Sequence, residues 1–242
     1  MAGFAAVLAL ADDHLVLGHR LSEWCGHAPM LEEDLALPNM ALDLIGTARA
    51  LYQHAGAIEG RGRDEDALAY LRDERGYRNL LLCERPNGDF AHTMLRQLYF
   101  AAFMAAYWRV AQSSADPVIA GIAGKAVKEV AYHVRHAGEW VIRLGDGTDE
   151  SARRMASAVG ALHRYTDEMF EDEPQDPDLP DRGALRDAWA ATVRPIFDQA
   201  MLDWPETVFA QTGGRAGLHT EALGPMLAEM QSVHRAHPGA VW

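Results

Sequence analysis

Glu129 and His133 come closest to a metal-binding pattern in this chain of 242 residues. They lie in the helical stretch KAVKEVAYHVRH, residues 125–136. Four-helix bundles present ligands to a pair of irons through Glu-x-x-His, because residues three apart share a helix face. Here Val130 stands three residues before His133, and no Glu in the chain is followed by His at that spacing. Glu129 and His133 are four apart, which also places them on one face and leaves an irregular metal site as an alternative.

The other walls of a di-iron cage are poor in ligands. Asp89 and His92 have a spacing of three, but they stand at a helix start, where Asp is expected to cap the helix. The helix that follows has no Asp or Glu between Asp89 and Asp116, so it supplies no carboxylate to a bundle interior. The sequence also lacks a Gly-rich phosphate loop, a G-x-S-x-G and an H-E-x-x-H. We therefore predict no catalytic, cofactor-binding or metal-ligating residue in this chain.

The remaining histidines and the cysteines are scattered along the sequence. We expect most of these histidines to be satisfied groups at the surface or at helix edges: His14, His19, His27, His54, His163, His219, His234 and His237. His133 is placed at the edge of its helix face. Cys25 and Cys83 have no further thiols with which to form a knuckle or a disulfide framework, and they are predicted to be small buried side chains in a reducing cytoplasm.

Composition excludes several classes of protein. The formal net charge is −13 and the Lys and Arg residues are dispersed, so neither nucleic acid nor an anionic membrane surface is an expected partner. No run approaches the roughly 18 apolar residues of a membrane span. With 49% hydrophobic residues, the chain can bury a large core. We predict a single cytoplasmic domain over residues 1–242, with residues 204–242 at its periphery.

Helical periodicity dominates and predicts an all-α fold. We predict Asp89 and Asp116 as N-caps and Pro117 as the first residue of a helix whose apolar face includes Ile119, Val130 and Val141. An acidic, proline-bearing loop follows residue 170. We predict no helix for the segment 204–217 and expect at most a short extended excursion there. The predicted helices cover about residues 4–25, 32–55, 64–84, 90–112, 117–144, 149–170, 183–203 and 219–235.

Three long stretches resemble the PaaC family, the ferritin-like, non-catalytic subunit of bacterial phenylacetyl-CoA epoxidase. They are LVLGHRLSEWCGHAPMLEEDLALPNMALDLIGTARALY, AYLRDERGYRNLLLCERPNGDFAHTMLRQLYF and KAVKEVAYHVRHAGEWVIRLGDGTDES. The resemblance extends over roughly residues 10–235. It implies a ferritin-like four-helix bundle with additional helices.

The resemblance also implies a function in aerobic phenylacetate breakdown. In the family, a sister subunit of similar fold holds the di-iron centre and binds the CoA thioester, and a reductase with flavin and an iron–sulfur centre delivers electrons from NADPH. One oxygen atom enters the substrate ring as an epoxide. The PaaC chain is the structural partner of the catalytic subunit and is expected to be inactive alone.

The family comparison also explains the incomplete motif. Catalytic relatives carry D-E-x-G-H-A on the second helix, and Leu44 and Thr47 occupy those ligand positions here. Their K-E-E-x-x-H pattern, aligned with KEVAYH, places Val130 at the ligand Glu and retains His133. Two alternatives remain open: a di-iron protein that uses Asp43, Glu129 and His133, and a freestanding helical interaction module.

Overall fold

The computed structural model describes residues 2–171, 176–206 and 209–240. Its secondary structure is helical, and the described residues contain no strand, which confirms the predicted all-α class. None of the helices in these ranges combines the length and apolar character of a membrane span. The helices are α1 (Phe4–Ser22), α2 (Leu31–Glu59), α3 (Glu65–Tyr70), α4 (Leu81–Glu84), α5 (Phe90–Ala111), α6 (Pro117–Gly145), α7 (Asp149–Leu162), α8 (Arg186–Gln199), α9 (Leu223–Met230) and α10 (Ser232–Ala236).

Four long helices form the bundle that the ferritin-like resemblance implied. α1 packs antiparallel to α2, α5 packs antiparallel to α6, and α2 lies beside α6. α1 and α2 approach closely at Gly18, where an added Cβ would stand 2.8 Å from Ile45 Cγ1. A larger residue at position 18 would therefore push the two helices apart.

α5 is the most enclosed helix because α7 and α8 cover the side that α6 does not. Most of its aromatic side chains are buried, and Tyr99, Phe103 and Trp108 are each at most 1% exposed. The predicted caps are confirmed: Asp89 accepts a hydrogen bond from His92 N, and Asp116 accepts from Val118 N and Ile119 N. Pro117 is the first residue of α6, as predicted.

The predicted helix over residues 64–84 is wrong. The chain forms α3, a 3₁₀ turn at Glu74–Gly76 and the short α4. Two buried carboxylates on α1 interrupt the helix, because Asp12 accepts a hydrogen bond from Arg78 N and Asp13 accepts one from Leu80 N. Arg72 also pairs with Asp12, with its Nη1 2.9 Å from Asp12 Oδ2. The backbone of this segment donates hydrogen bonds to these two carboxylates instead of forming the hydrogen bonds of a continuous helix.

Three later helices are shorter than predicted. α7 ends at Leu162 and continues as 3₁₀ turns at His163–Tyr165 and Asp167–Phe170. The predicted helix 183–203 begins as a 3₁₀ turn and is α-helical over α8, and the last predicted helix is divided into α9 and α10. Within 204–217, residues 207–208 lie outside the described residues, and the rest holds a 3₁₀ turn at Gly214–Ala216.

Residues 209–222 are attached to the bundle by buried polar contacts. Arg215 Nη2 lies 2.7 Å from Asp13 Oδ2, and His219 Nδ1 lies 2.7 Å from Glu84 Oε2. Glu168 accepts hydrogen bonds from Gly213 N at 2.9 Å, Gly214 N at 2.7 Å and Leu81 N at 2.7 Å. These contacts join α1, α4 and the C-terminal residues into one polar cluster.

Replacing Arg72 by Met should strongly destabilise the protein, because it leaves the buried Asp12 carboxyl group without its cation in the core. We expect the free energy of unfolding to fall by about 3–5 kcal/mol, measured by urea denaturation. Arg75→Met is the matched control, since Arg75 is exposed in the same segment and its loss should change stability by less than about 0.5 kcal/mol. Equal effects of the two substitutions would contradict the assigned role of Arg72.

Glu168 should make stability depend on pH. Burial raises the pKa of Glu168 from 4.5 to about 7, although the hydrogen bonds from Leu81 N, Gly214 N and Gly213 N and the charge of Arg215 oppose the rise. Because the pKa is higher in the folded state, the contribution of Glu168 to stability is full below pH 4.5 and is lost as the pH rises through about 7.

The pH dependence can be isolated with Glu168→Gln, which does not titrate. The unfolding free energy of the unsubstituted protein minus that of Glu168→Gln should decrease by on the order of 3 kcal/mol from acid to mildly alkaline pH. Glu229→Gln serves as the control because Glu229 is exposed, so the corresponding difference should stay flat. A difference for Glu168 that is flat or increases with pH would refute this assignment.

Candidate functional site

A small cavity of about 20 Å³ lies at the centre of the bundle, and it is lined by Leu44, Thr47, Val130 and His133, the residues that the family comparison aligned with metal ligands. It has room for about one water molecule. All four long helices contribute to its wall. The lining residues are His14, Asp43, Leu44, Thr47, Phe100, Met104, Trp108, Ala126, Glu129, Val130 and His133.

His133 is buried beside this cavity and is not an edge residue, so that prediction was wrong. Only 2% of it is exposed, because side chains of α2 and α5 close over the ring. Its Nε2 lies 3.1 Å from Asp43 Oδ2, and its Nδ1 lies 3.3 Å from Gln97 Nε2. The Gln97 amide N–H donates to Nδ1, which leaves Nε2–H to donate to Asp43. His133 is thus held by two polar neighbours from two other helices.

His14 extends from α1 toward the same cavity. Its Nδ1 lies 2.7 Å from Leu10 O, to which it donates, and its ring centroid is 5.4 Å from that of Phe100 and 5.6 Å from that of Trp108. Burial lowers the pKa of His14 to about 4, so the ring is neutral at pH 7. His14 is therefore an exception to the surface or edge positions expected for most of these histidines. The sequence signal for its burial is its position within the apolar run of α1.

Two side-chain oxygens at the centre have no hydrogen-bond partner in the described part of the protein: Gln97 Oε1 and Glu129 Oε2. The other oxygen of Glu129 lies 3.1 Å from Lys125 Nζ, four residues earlier on α6. The Asp43 side chain is about one third exposed. Asp43 and Glu129 therefore belong to the seam between α2 and α6, where Asp43 is open to water and Glu129 is paired with Lys125 through one oxygen only, while Gln97 lies within the bundle.

The residues around the cavity do not fit a di-iron centre. Hard divalent iron needs carboxylates that bridge and cap the two metals, and Leu44 and Val130 present hydrocarbon at the positions that the family comparison assigns to Glu. α5 contributes the neutral amide of Gln97. Among the described residues, no group of three or more His, Cys, Asp or Glu side chains is arranged to hold a metal ion.

Other residues singled out in the sequence lie elsewhere. Asp89 and His92 interact with each other at the start of α5, with Asp89 Oδ1 2.7 Å from His92 Nδ1. His54 and His163 are also buried and are further exceptions to the surface or edge positions expected for most of the histidines: His54 Nε2 lies 2.9 Å from Asp116 Oδ2, and His163 Nδ1 lies 3.1 Å from Tyr99 Oη. Cys83 is buried as predicted, but Cys25 is exposed.

Two comparisons with known proteins give matches that extend over nearly the whole chain. The family model described as "Phenylacetic acid catabolic protein" matches residues 1–242. The chain is also 48% identical over 244 residues to a protein of Escherichia coli (strain K12) whose name identifies it as the C subunit of 1,2-phenylacetyl-CoA epoxidase. That match covers 98% of this chain and 98% of the relative.

Val130→Glu writes Glu-x-x-His into residues 130–133 and tests whether the centre can use a new ligand. The new carboxylate enters the small cavity beside Leu44, close to the carboxylates of Asp43 and Glu129, so it should ionise poorly or displace the helix. We expect a clear fall in melting temperature, corresponding to about 2–5 kcal/mol, and no gain of iron. Iron content and melting temperature are measured with and without ferrous iron.

Ala131→Glu is the matched control, because the neighbouring side chain is exposed on the same helix and should tolerate a carboxylate. The irregular di-iron alternative makes the opposite prediction for Val130→Glu, since completing a ligand pair would raise metal affinity and stabilise the fold through binding. Stabilisation of Val130→Glu by iron would therefore support that alternative against our interpretation.

Proposed function

The chain belongs to the phenylacetic acid catabolic protein family, and from that premise we propose that it is the structural, non-catalytic subunit of a phenylacetyl-CoA epoxidase. The observation that carries the proposal is the bundle centre. There, Leu44 and Val130 stand where a catalytic relative would need carboxylates, and the cavity they line is about 20 Å³. The full-length similarity to a known epoxidase component supplies the biochemical context.

The role of such a subunit is mechanical. Its long helices form a rigid bundle with a filled core, including the buried aromatic side chains of α5. Packed against a catalytic subunit of related fold, this bundle would hold the helices of that partner in a fixed arrangement. Ligands on those helices would then keep the geometry that oxygen activation requires. No proton or electron passes through residues of this chain in the proposal.

In this proposal, the partner subunits carry out the chemical steps of the reaction. We propose that a ferritin-like oxygenase subunit holds the di-iron centre and binds the CoA thioester, and that a reductase with flavin and an iron–sulfur centre supplies electrons from NADPH. One atom of O₂ enters the aromatic ring as an epoxide. This chain would take part in aerobic phenylacetate breakdown by stabilising the oxygenase subunit and not by contacting the reacting atoms.

We also propose that residues 1–242 form a single cytoplasmic domain in which residues 204–242 lie outside the four-helix core. The buried ion pair of Arg215 with Asp13 supports a single folding unit, since it joins the C-terminal residues to α1. The exposed thiol of Cys25 has no disulfide partner among the described residues and suits a reducing compartment.

Co-expression with the cognate oxygenase subunit tests the proposed function. We expect the two chains to purify as a stable complex whose interface buries more than about 2,000 Å² in total, as is common for permanent complexes. Iron is then assayed in each chain separately and in the complex. Purified alone, this chain should contain far less than one iron per protein and show no oxygenase activity, while iron and activity follow the oxygenase subunit.

Two results would contradict this assignment. Stoichiometric iron retained by the isolated chain after dialysis would favour the alternative in which Asp43, Glu129 and His133 bind metal. Separate elution of the two chains at micromolar concentration would favour a freestanding interaction module. The iron assay and the co-purification therefore distinguish the three hypotheses.

A further inference from the structure

The outward sides of α2 and α6 are the part of the bundle that the additional helices leave most open. α7 and α8 pack on α5, α7 also contacts α6, and α4 and the Arg215 segment pack on α1. α3 approaches α2 only toward its end, where Arg49 contacts Glu65. α8 reaches α6 near its end, at Gly138 and Gly145. The first half of α2 and the middle of α6 remain accessible between these contacts.

Exposed leucines mark this part of α2. Leu31, Leu35 and Leu42 are 70%, 59% and 66% exposed. Spacings of four and seven residues place them on one side of the helix, along about 16 Å of its length. Apolar side chains that are exposed singly are ordinary on protein surfaces, but a row of leucines on one helix face indicates an interaction surface.

The adjoining side of α6 carries both lysines of an acidic protein, and one of them is already paired, since Lys125 Nζ lies 3.1 Å from Glu129 Oε1. Lys125 and Lys128 are the only lysines in the sequence, and the formal net charge of the chain is −13. Tyr132, 38% exposed, continues the same helix side, and Arg135 lies against its ring with 5.5 Å between guanidinium carbon and ring centroid. Lys128 has no ion pair within the described residues, so its charge is available to a partner.

The leucines and the lysines form one continuous surface. An added Cβ at Gly46, one helical turn beyond Leu42, would stand 3.8 Å from Lys125 Nζ, so this ammonium group reaches over α2. At the other end, His136 Nε2 lies 2.9 Å from Glu33 Oε2, between Leu31 and Leu35 in the sequence. We call the surface formed by Leu31, Leu35, Leu42, Lys125, Lys128 and Tyr132 the α2/α6 face.

We infer that the α2/α6 face docks helices of the ferritin-like oxygenase subunit, which places apolar side chains on the leucine row and acidic side chains opposite Lys125 and Lys128. The inference rests on the proposed function, because it takes the oxygenase subunit as the partner. A second copy of this chain is a poorer match: it brings a like net charge of −13. A two-fold contact that placed the lysines near its axis would also bring like charges together.

A pair of matched leucine substitutions tests the apolar half of the face. Leu42→Glu places a charge in the proposed contact, and Leu218→Glu places the same charge on an equally exposed leucine elsewhere, since the two are 66% and 67% exposed. Neither substitution should lower the melting temperature much. We expect Leu42→Glu to weaken binding of the cognate oxygenase subunit by at least about 30-fold, and Leu218→Glu by less than about 3-fold.

Carbodiimide crosslinking tests the basic half. The reagent condenses a lysine amine with a partner carboxylate into an amide and takes up the water that is lost, so it reports direct Lys–Asp or Lys–Glu proximity. We expect mass spectrometry of the complex to identify peptides that join Lys125 or Lys128 to acidic residues of the oxygenase subunit. Lys125→Arg with Lys128→Arg should remove these crosslinks and leave the affinity within about 3-fold, because the charge is kept.

The outcomes separate the two proposals. If the unsubstituted chain fails to bind the oxygenase subunit, the proposed function fails and the docking inference fails with it. If the complex forms but Leu42→Glu binds as tightly as Leu218→Glu, only the docking inference is overturned. It is also overturned if sedimentation shows a dimer of this chain that Leu42→Glu dissociates while leaving the oxygenase complex intact, since the face then belongs to a second copy.

Discussion

Two adjacent carboxylates on α1, Asp12 and Asp13, fix the arrangement of the chain around the bundle. Both are completely buried, and a buried carboxylate is tolerated only with a cation or several donors beside it. Arg72 pairs with Asp12, and Arg215 pairs with Asp13. These two arginines come from distant parts of the sequence. Because both pair with acids on the same turn of α1, they hold the segment after α3 and the C-terminal residues against this helix.

The need to compensate buried charge also explains which residues occupy the centre of the bundle. In a ferritin-like di-iron protein, carboxylates enter the interior because metal neutralises them. Here the interior positions carry Leu44 and Val130, and His133 is satisfied by Asp43 and Gln97. The two acids nearest the cavity, Asp43 and Glu129, lie at the α2/α6 seam, where water or Lys125 compensates their charge. The centre thus packs hydrocarbon side chains at these interior positions, as an ordinary core does.

The sequence predicted those features that depend on local signals. The caps at Asp89 and Asp116, the long helices and the apolar face of α6 follow from residue type and spacing, and the structure has them. The break in the predicted 64–84 helix does not follow from local signals. It depends on Asp12 and Asp13, some 60 residues earlier in the sequence, which bond Arg78 N and Leu80 N across the fold. Periodicity likewise placed His133 at an edge, because the covering side chains belong to other helices.

The positions of the additional helices determine which side of the bundle stays available to a partner. The ion pair between Asp13 and Arg215 holds the C-terminal residues against α1. On the other side, Trp189 and Phe197 of α8 pack against Tyr99 of α5. α1 and α5 are therefore covered by the chain itself, and the accessible parts of the bundle are the first half of α2 and the middle of α6. Since the cavity seam also lies between α2 and α6, a subunit docked there would cover Asp43 and Glu129. The accessible surface and the seam that holds Asp43 and Glu129 thus lie on the same side of the molecule.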